Sequence, residues 1–333
     1  MTLRSFLLRR IVYTVMLVLV VIVVNWLVFE GIPGPTGAQQ FLSTSPRNNN
    51  PETIARLCAI WQCHASRTDQ FISYVRNMLT FQFGVSFQNG LPVATQIIQQ
   101  GRLQNTLLLL GTSTIIAIII GVVLGIVASS RRGSALDSFS VSASLSTFAL
   151  PTFWIGELLI LVFAYGLHWF PSGGVTPSYF TQPGLVPDLL TQIVIRIQYL
   201  LLPALTLTLF TYGGFVLLTR ATMLEALNED YIVTAKAKGL SERVILFRHA
   251  FKNASLPVIT ASALAFGGIL AGAIITETVF AWGGLGYWLY QSILVKDFPV
   301  LQAMFYLISL AVIAANFIAD VLYGIVDPRI RYE

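Results

Sequence analysis

Charge is scarce in this chain. Lys, Arg, Asp and Glu make up 11% of its 333 residues, against about 25% in an ordinary soluble domain. Cysteine is nearly absent, with two in all, which excludes a disulfide scaffold and any cysteine-rich metal cluster. No G-x-x-x-x-G-K-[ST] stretch occurs, so ATP hydrolysis by the P-loop route is closed to it. The net charge of +5 comes from scattered Lys and Arg, not from a basic stripe of the kind that binds nucleic acid. There is no internal repeat and no low-complexity tail. Apolar residues are what the chain has in quantity, 55% of the total. So little polar material cannot cover a folded chain in water, and a bilayer is the expected solvent.

Six apolar runs are each long enough to cross about 30 Å of hydrocarbon. They are Ile11–Phe29, Leu103–Ala128, Phe139–Leu167, Tyr199–Leu224, Ser255–Ala281 and Leu301–Val326. The first follows Arg4, Arg9 and Arg10 and ends at Glu30-Gly31-Ile32-Pro33 without a small-residue cleavage site. It reads as a retained helix and not as a signal peptide. Six spans put both termini on one side, and the positive-inside rule makes that side cytoplasmic. Arg131, Arg132, Arg220, Lys236, Lys238, Arg243, Arg248, Lys252, Arg329 and Arg331 then join the N-terminal arginines inside. Arg47, Arg56, Arg67, Arg76, Arg102, Arg196 and Lys296 remain outside, most of them in one long loop.

The expected architecture is an all-α polytopic membrane protein in the cell membrane, in three parts. Residues 1–30 hold the cytoplasmic N-terminus and first helix. Residues 31–102 form a small extracytoplasmic cap, with helical periodicity after Pro51 and again over Phe71–Leu79. Residues 103–333 hold five further spans, with a cytoplasmic helix pair at 225–257. The loop Trp169–Ile197 is rich in Pro and Gly. The loop Trp282–Val300 is short, and Tyr287, Trp288, Leu289 and Ile293 suit the interface or a re-entrant segment.

Glu225–Pro257 is the longest cytoplasmic stretch and the most patterned. Its first part favours helix up to Lys238. Gly239 suits a left-handed cap, with Lys236 and Lys238 on the last turn. Ser241 suits the cap of a second helix, with Glu242 in its first turn. On that helix Val244, Phe247 and Phe251 share one face, and Arg243, Arg248 and Lys252 take the others. Pro257 fits the first turn of the next span. The result is a helix–elbow–helix with an apolar stripe to dock, where Ala235 and Ala237 permit close approach. The pattern alone serves equally a basic helix lying on anionic lipid.

Thr234-Ala235-Lys236-Ala237-Lys238-Gly239, then Arg248-His249-Ala250 and Asn253-Ala-x-x-Pro257, resembles the EAA loop of ABC importer permeases of the dipeptide/oligopeptide type. Further blocks resemble that family in order along nearly the whole chain. They are Tyr74–Leu79, Gly84–Phe87 and Asn105-Thr106-Leu107, then Pro151–Trp154, Trp169–Gly173 and Glu277–Trp282. Gly284-Leu285-Gly286, Asp297–Val300, Asn316, Asp320 and the ending Asp327–Tyr332 complete the set.

The resemblance implies a non-catalytic subunit that forms half of a translocation path. It would pair with a second homologous permease, two cytoplasmic ABC ATPases and an extracytoplasmic solute-binding protein. ATP and Mg would be used by the ATPases, with no cofactor on this chain. The ATPase contact would run through Thr234, Ala235, Lys236, Ala237, Lys238, Gly239, Leu240, Val244, Phe247, Arg248, His249, Phe251 and Asn253. Oligopeptides are the default cargo, with oligosaccharides or nickel as alternatives. Two outer motifs depart from the family pattern: Pro33-Gly34-Pro35-Thr36 lacks its acid, and Trp282-Gly283-Gly284 replaces Trp-Pro-Gly.

Single residues carry weaker signals. Glu157 lies near the middle of the third run, where an acid costs about 2.5–3.5 kcal/mol on insertion scales. It is either a path residue for a polar or cationic solute or a side chain bonded to a neighbouring helix. Glu277, Trp282 and Asn316 are further path or gate candidates, and Glu277 also suits an interhelical hydrogen bond. Cys58 and Cys63 form a candidate local disulfide on the oxidising side. Together with His64 they fall short of four metal ligands, so no metal site is expected. Gly121/Gly125 and Gly268/Gly272 read as close helix packing. His249 reads as structural, since no nucleophile accompanies it. Other classes would look different. A stand-alone secondary transporter or channel would need broken helices or charged pairs at the midplane, and a membrane enzyme would need convergent catalytic groups.

Overall fold

The computed structural model describes residues 3–31, 65–181 and 187–326, and the side chains of 3, 4, 6, 31, 179, 181, 267–273, 319 and 322–326 fall outside that description. Among the described residues the chain is helical, with one isolated bridge between Val85 and Pro92. Helix α1 spans Leu3–Trp26 and ends in a wide π turn, Leu27–Gly31. The cap contributes α2, Arg67–Leu79, and a short α3, Val93–Ile98. Helix α2 contains the expected Phe71–Leu79 and begins one turn earlier, because the Ser66 side chain accepts the Asp69 amide. The periodic stretch after Pro51, together with Cys58, Cys63 and His64, lies outside the described residues, as does Asp327–Tyr332.

Helix α4, Arg102–Ser130, crosses the bundle towards the arginine-rich end. After the turn at Arg131–Ser134, α5 returns over Ala135–Ala149. The third apolar run is not one straight helix. It breaks at Leu150–Pro151 and resumes as α6, Thr152–Leu159, continued by a π turn to Gly166, and the two parts meet at 101°. Pro151 has no amide hydrogen, and its ring pushes Leu150 out of the helical region to φ −85, ψ 137.

Helix α7 spans Leu189–Leu227, so it takes in residues 189–197, which the sequence placed in a loop. Asp188 starts it by accepting the Thr191 hydroxyl at 2.7 Å and amide at 3.2 Å. These bonds hold the Asp188 carboxyl below its usual range.

Helix α8, Asp230–Ala237, forms the first arm of the elbow. A helical turn at Glu242–Val244 and a π turn at Ile245–Ala250 lead directly into α9, Phe251–Val279. Pro257 therefore sits inside a continuous helix and not at the start of the next span. Two more helices close the chain, α10 at Leu285–Val295 and α11 at Phe298–Val326. The loop expected over Trp282–Val300 is mostly α10. Its Leu285, Trp288 and Leu289 are buried against α1, the cap and α11, so this helix packs on protein.

Among the described residues, four helical segments are long and apolar enough to cross a membrane: Leu7–Glu30, Arg102–Ser130, Leu189–Leu227 and Phe298–Ile318. The bent α5–α6 pair makes a fifth if it counts as one span. Helices α4 and α7 pack face to face along Gly121 and Gly125. A Cβ added at Gly125 would stand 2.6 Å from the Thr219 Cβ, so only glycine lets the backbones approach this closely. Gly268 and Gly272 lie among the undescribed side chains. Asp320 of α11 pairs with Arg10 of α1 at 2.7 Å.

Candidate functional site

Two places in the bundle bring the patterned residues together. The first is the elbow. Gly239 has φ +72, its amide donates to Lys236 O at 2.9 Å, and the Leu240 amide reaches back to Ala235 O at 3.4 Å. This pair of bonds is a Schellman cap, and it needs a residue that tolerates the left-handed region. Ser241 starts the second arm through its carbonyl, which accepts the Ile245 amide at 3.0 Å, while its hydroxyl makes no cap bond.

The elbow has two distinct faces. Ile232, Ala235, Ile245, Ala250 and Ala254 are buried against Ile126 of α4 and Met223 and Ala226 of α7. Ala235 is 4% exposed, so it secures the elbow to the bundle and does not face outward. Phe251 is half-buried on the same side. The opposite face presents Val233, 64% exposed, and Phe247, 53% exposed, with Leu240 and Val244 beside them. Thr234, Lys236, Ala237, Lys238, Arg248 and Asn253 are exposed as well, and His249 is half-buried.

The second place is a buried clasp at the cap end of the bundle. The Thr106 hydroxyl donates to Glu277 Oε1 at 2.7 Å, and the Tyr287 amide donates to Oε2 at 2.9 Å. The Leu285 amide donates in turn to the Thr106 hydroxyl oxygen at 2.8 Å. Trp282 Nε1 donates to Asn105 O, and Asn105 Nδ2 donates to Gly283 O, both at 2.9 Å. Arg196 of α7 completes the group through the Asn105 side-chain oxygen. Gly284 has room for no Cβ, because Glu277 Oε2 and Thr106 Oγ1 occupy that space. Glu277 and Trp282 are both fully buried. Their hydrogen bonds tie α4 to the end of α9 and the start of α10.

A second carboxylate does similar work nearby. Asp297, fully buried, accepts the Ser86 hydroxyl, the Phe87 amide at 2.9 Å and the Gln88 amide at 3.4 Å. It ties the cap loop to the turn between α10 and α11.

The remaining candidates lie apart from both places. Glu157 is exposed on α6, beside Gly156, which packs on Phe280. Asn316 is exposed on α11, not interior to this chain. A cavity of about 590 Å³ opens between α4, α9 and α11. Its lining is apolar apart from Ser262, and none of the four path candidates contributes to it. Among the described residues no group of three His, Cys, Asp or Glu side chains is arranged to hold a metal.

A family described as "Binding-protein-dependent transport system inner membrane component" matches residues 121–332. The chain belongs to that family. The oligopeptide transport system permease protein AppB of Bacillus subtilis is 39% identical over 264 residues, covering 79% of this chain and 80% of the relative. The dipeptide transport system permease protein DppB of Escherichia coli K12 is 33% identical and covers 99% of both. A putative peptide transport system permease protein of Brucella abortus is 32% identical, again over 99% of both. The permease is thus a membrane-embedded, non-catalytic transport component.

The clasp explains why separate blocks of sequence resemble one family. Asn105-Thr106, Glu277–Trp282 and Gly284–Gly286 are partners in one hydrogen-bonded unit, as are Gly84–Phe87 and Asp297–Val300. Val233 escaped notice in the sequence because an apolar stripe was read only on the second arm, at Val244, Phe247 and Phe251, and Val233 lies on the first. A reading of which α8 residues face away from Ile232 and Ala235 would have found it.

Proposed function

We propose that this permease is one transmembrane half of an ATP-driven importer for oligopeptides or similar small solutes, energised by separate ATPase subunits. Oligosaccharides and nickel remain the alternative cargoes. The peptide cargo follows from the names of the relatives. The elbow carries the ATPase part of the proposal. Val233, Leu240, Val244 and Phe247 form an apolar outward patch on an otherwise polar segment, with Lys236, Lys238, Arg243 and Arg248 around it. A patch of that kind, on a short helix held rigidly by a buried inner face, suits a groove in a protein partner better than a lipid surface. A chain with no P-loop needs such a surface to receive work from ATP.

On this reading six spans cross the membrane, with the bent α5–α6 pair as the third and α9 as the fifth. Both termini and the elbow are cytoplasmic, following the Lys and Arg bias. A second homologous permease supplies the other half of the path. An extracytoplasmic solute-binding protein delivers cargo to the cap end, and membrane lipid surrounds the outer faces. Glu157 and Asn316, exposed polar residues on membrane-crossing helices, are candidates to meet the path or the second permease, and Glu277 and Trp282 are candidates for a gate at the cap end.

The test is purification of the tagged permease with its native partners, followed by reconstitution in liposomes. The proposal expects ATPase subunits to co-purify and uptake of a di- to hexapeptide mixture to require ATP. A permease that purifies alone and takes up solute without ATP would instead be a secondary transporter.

A further inference from the structure

Helix α5 runs antiparallel along α7 and touches it at three levels. Nearest the elbow, Arg220 clamps Asp137 with two parallel bonds, Nε to Oδ1 at 2.6 Å and Nη2 to Oδ2 at 2.9 Å. Two helical turns further on, Gly213 lies against the Ser144 backbone, and a Cβ there would stand 2.7 Å from Ser144 O. Beyond that, Phe148 stacks on Phe210 with ring centroids 6.0 Å apart. Two residues beyond Phe148 come Leu150 and Pro151, where the segment bends by 101°.

The three contacts differ in what they constrain. A stacked ring pair and a glycine contact tolerate small sliding and rotation. A guanidinium fork on a carboxylate fixes both distance and angle. The carboxylate is itself fixed, since the Gly133 amide donates to Oδ2 at 2.9 Å and only 6% of the Asp137 side chain is exposed. Arg220 stands two turns, about 10 Å, before the end of α7, and α8 follows after Asn228 and Glu229. The inner face of the elbow is buried on Met223 and Ala226, between Arg220 and that end. The same face also touches Ile126 of α4, which leads into α5 through the turn at Arg131–Ser134, so Arg220 gives a displacement of the elbow a side-chain route from α7 into α5 beside that backbone one.

We infer that Asp137 and Arg220 are a positioning pair for transport, carrying movement of the elbow into α5 and up to the joint at Pro151, where the third segment changes its bend. This inference rests on the proposed coupling of the elbow to ATPases. Neither residue belongs to the elbow surface or to the outer clasp.

The experiment uses the full complex in liposomes, with ATP hydrolysis and uptake of a di- to hexapeptide mixture measured on the same preparation. Wild-type complex comes first. Absence of ATP-dependent uptake there would remove the coupling reading itself, before any variant is made. In Asp137→Asn the inference expects ATPases to stay bound and hydrolysis to continue. Peptide transported per ATP should fall by at least about fivefold, the lower end of ordinary coupling effects. The swapped pair Asp137→Arg with Arg220→Asp should recover part of that loss. Arg220→Lys covers the case in which Asp137→Asn fails to fold, because it keeps the charge and loses the fork. It should assemble and still show a reduced ratio. A wild-type ratio of transport to hydrolysis in Arg220→Lys, or in an assembled Asp137→Asn complex, would overturn the inference.

Discussion

Thr106 and Glu277 stand 171 positions apart in the chain and share a 2.7 Å hydrogen bond between fully buried groups. Thr106 also accepts the Leu285 amide, and Glu277 also accepts the Tyr287 amide, so the pair governs where α10 sits against the bundle. Thr106→Val keeps the shape and leaves both the Leu285 amide and one carboxylate oxygen without partners. An unpaired buried group costs about 1–3 kcal/mol, and more when charged. The variant should melt at a clearly lower temperature in detergent, whereas Thr106→Ser should stay near wild type. Equal melting of Thr106→Val and wild type would show that this clasp contributes little.

Asp297 gathers one hydroxyl and two amides from the cap loop. Asp297→Asn replaces an acceptor with a donor facing those groups. Backbone amides at residues 84–91 should then exchange with deuterium faster, while those of α4 keep their wild-type rates. Unchanged exchange at 84–91 would mean that the loop is held by its apolar contacts at Phe83 and Val93.

Gly239 sets the angle between the two arms of the elbow. Asparagine tolerates its positive φ far better than other residues. Gly239→Asn should therefore leave ATP-dependent uptake close to wild type. Gly239→Pro cannot reach φ +72 and loses the amide donated to Lys236. It should uncouple uptake from hydrolysis or prevent ATPase binding, with the permease still inserted in the membrane. Normal transport by Gly239→Pro would show that the angle of the elbow does not matter.

The elbow was the most legible part of the sequence. Its cap follows from one glycine after a helix ending in lysines, and the Schellman bonds are where that pattern put them. The continuity of the second arm with α9 was not legible, because Pro257 reads locally as a helix start. Proline lacks one amide donor, and a helix already under way tolerates that loss with its neighbours' support. The break at Pro151 is the opposite case, a proline inside an apolar run that does end a helix. The difference is tertiary, since α5 is fastened to α7 while Gly156 of α6 packs on Val279 and Phe280 at the end of α9. The clasps were legible only as blocks of family resemblance. Nothing in the local pattern pairs Thr106 with Glu277 or Ser86 with Asp297. Glu277 and Trp282, read from the sequence as gate candidates, are buried and hydrogen-bonded within this chain.

Photo-crosslinking from the outward face of the elbow tests the central claim most directly. A photoreactive residue in place of Phe247, in membranes containing the whole native complex, should capture an ATPase subunit. The same residue at Leu294, exposed on α10 near the cap, should capture none. Failure to capture an ATPase from Phe247, Val233 and Leu240 alike, with the complex intact, would contradict the account.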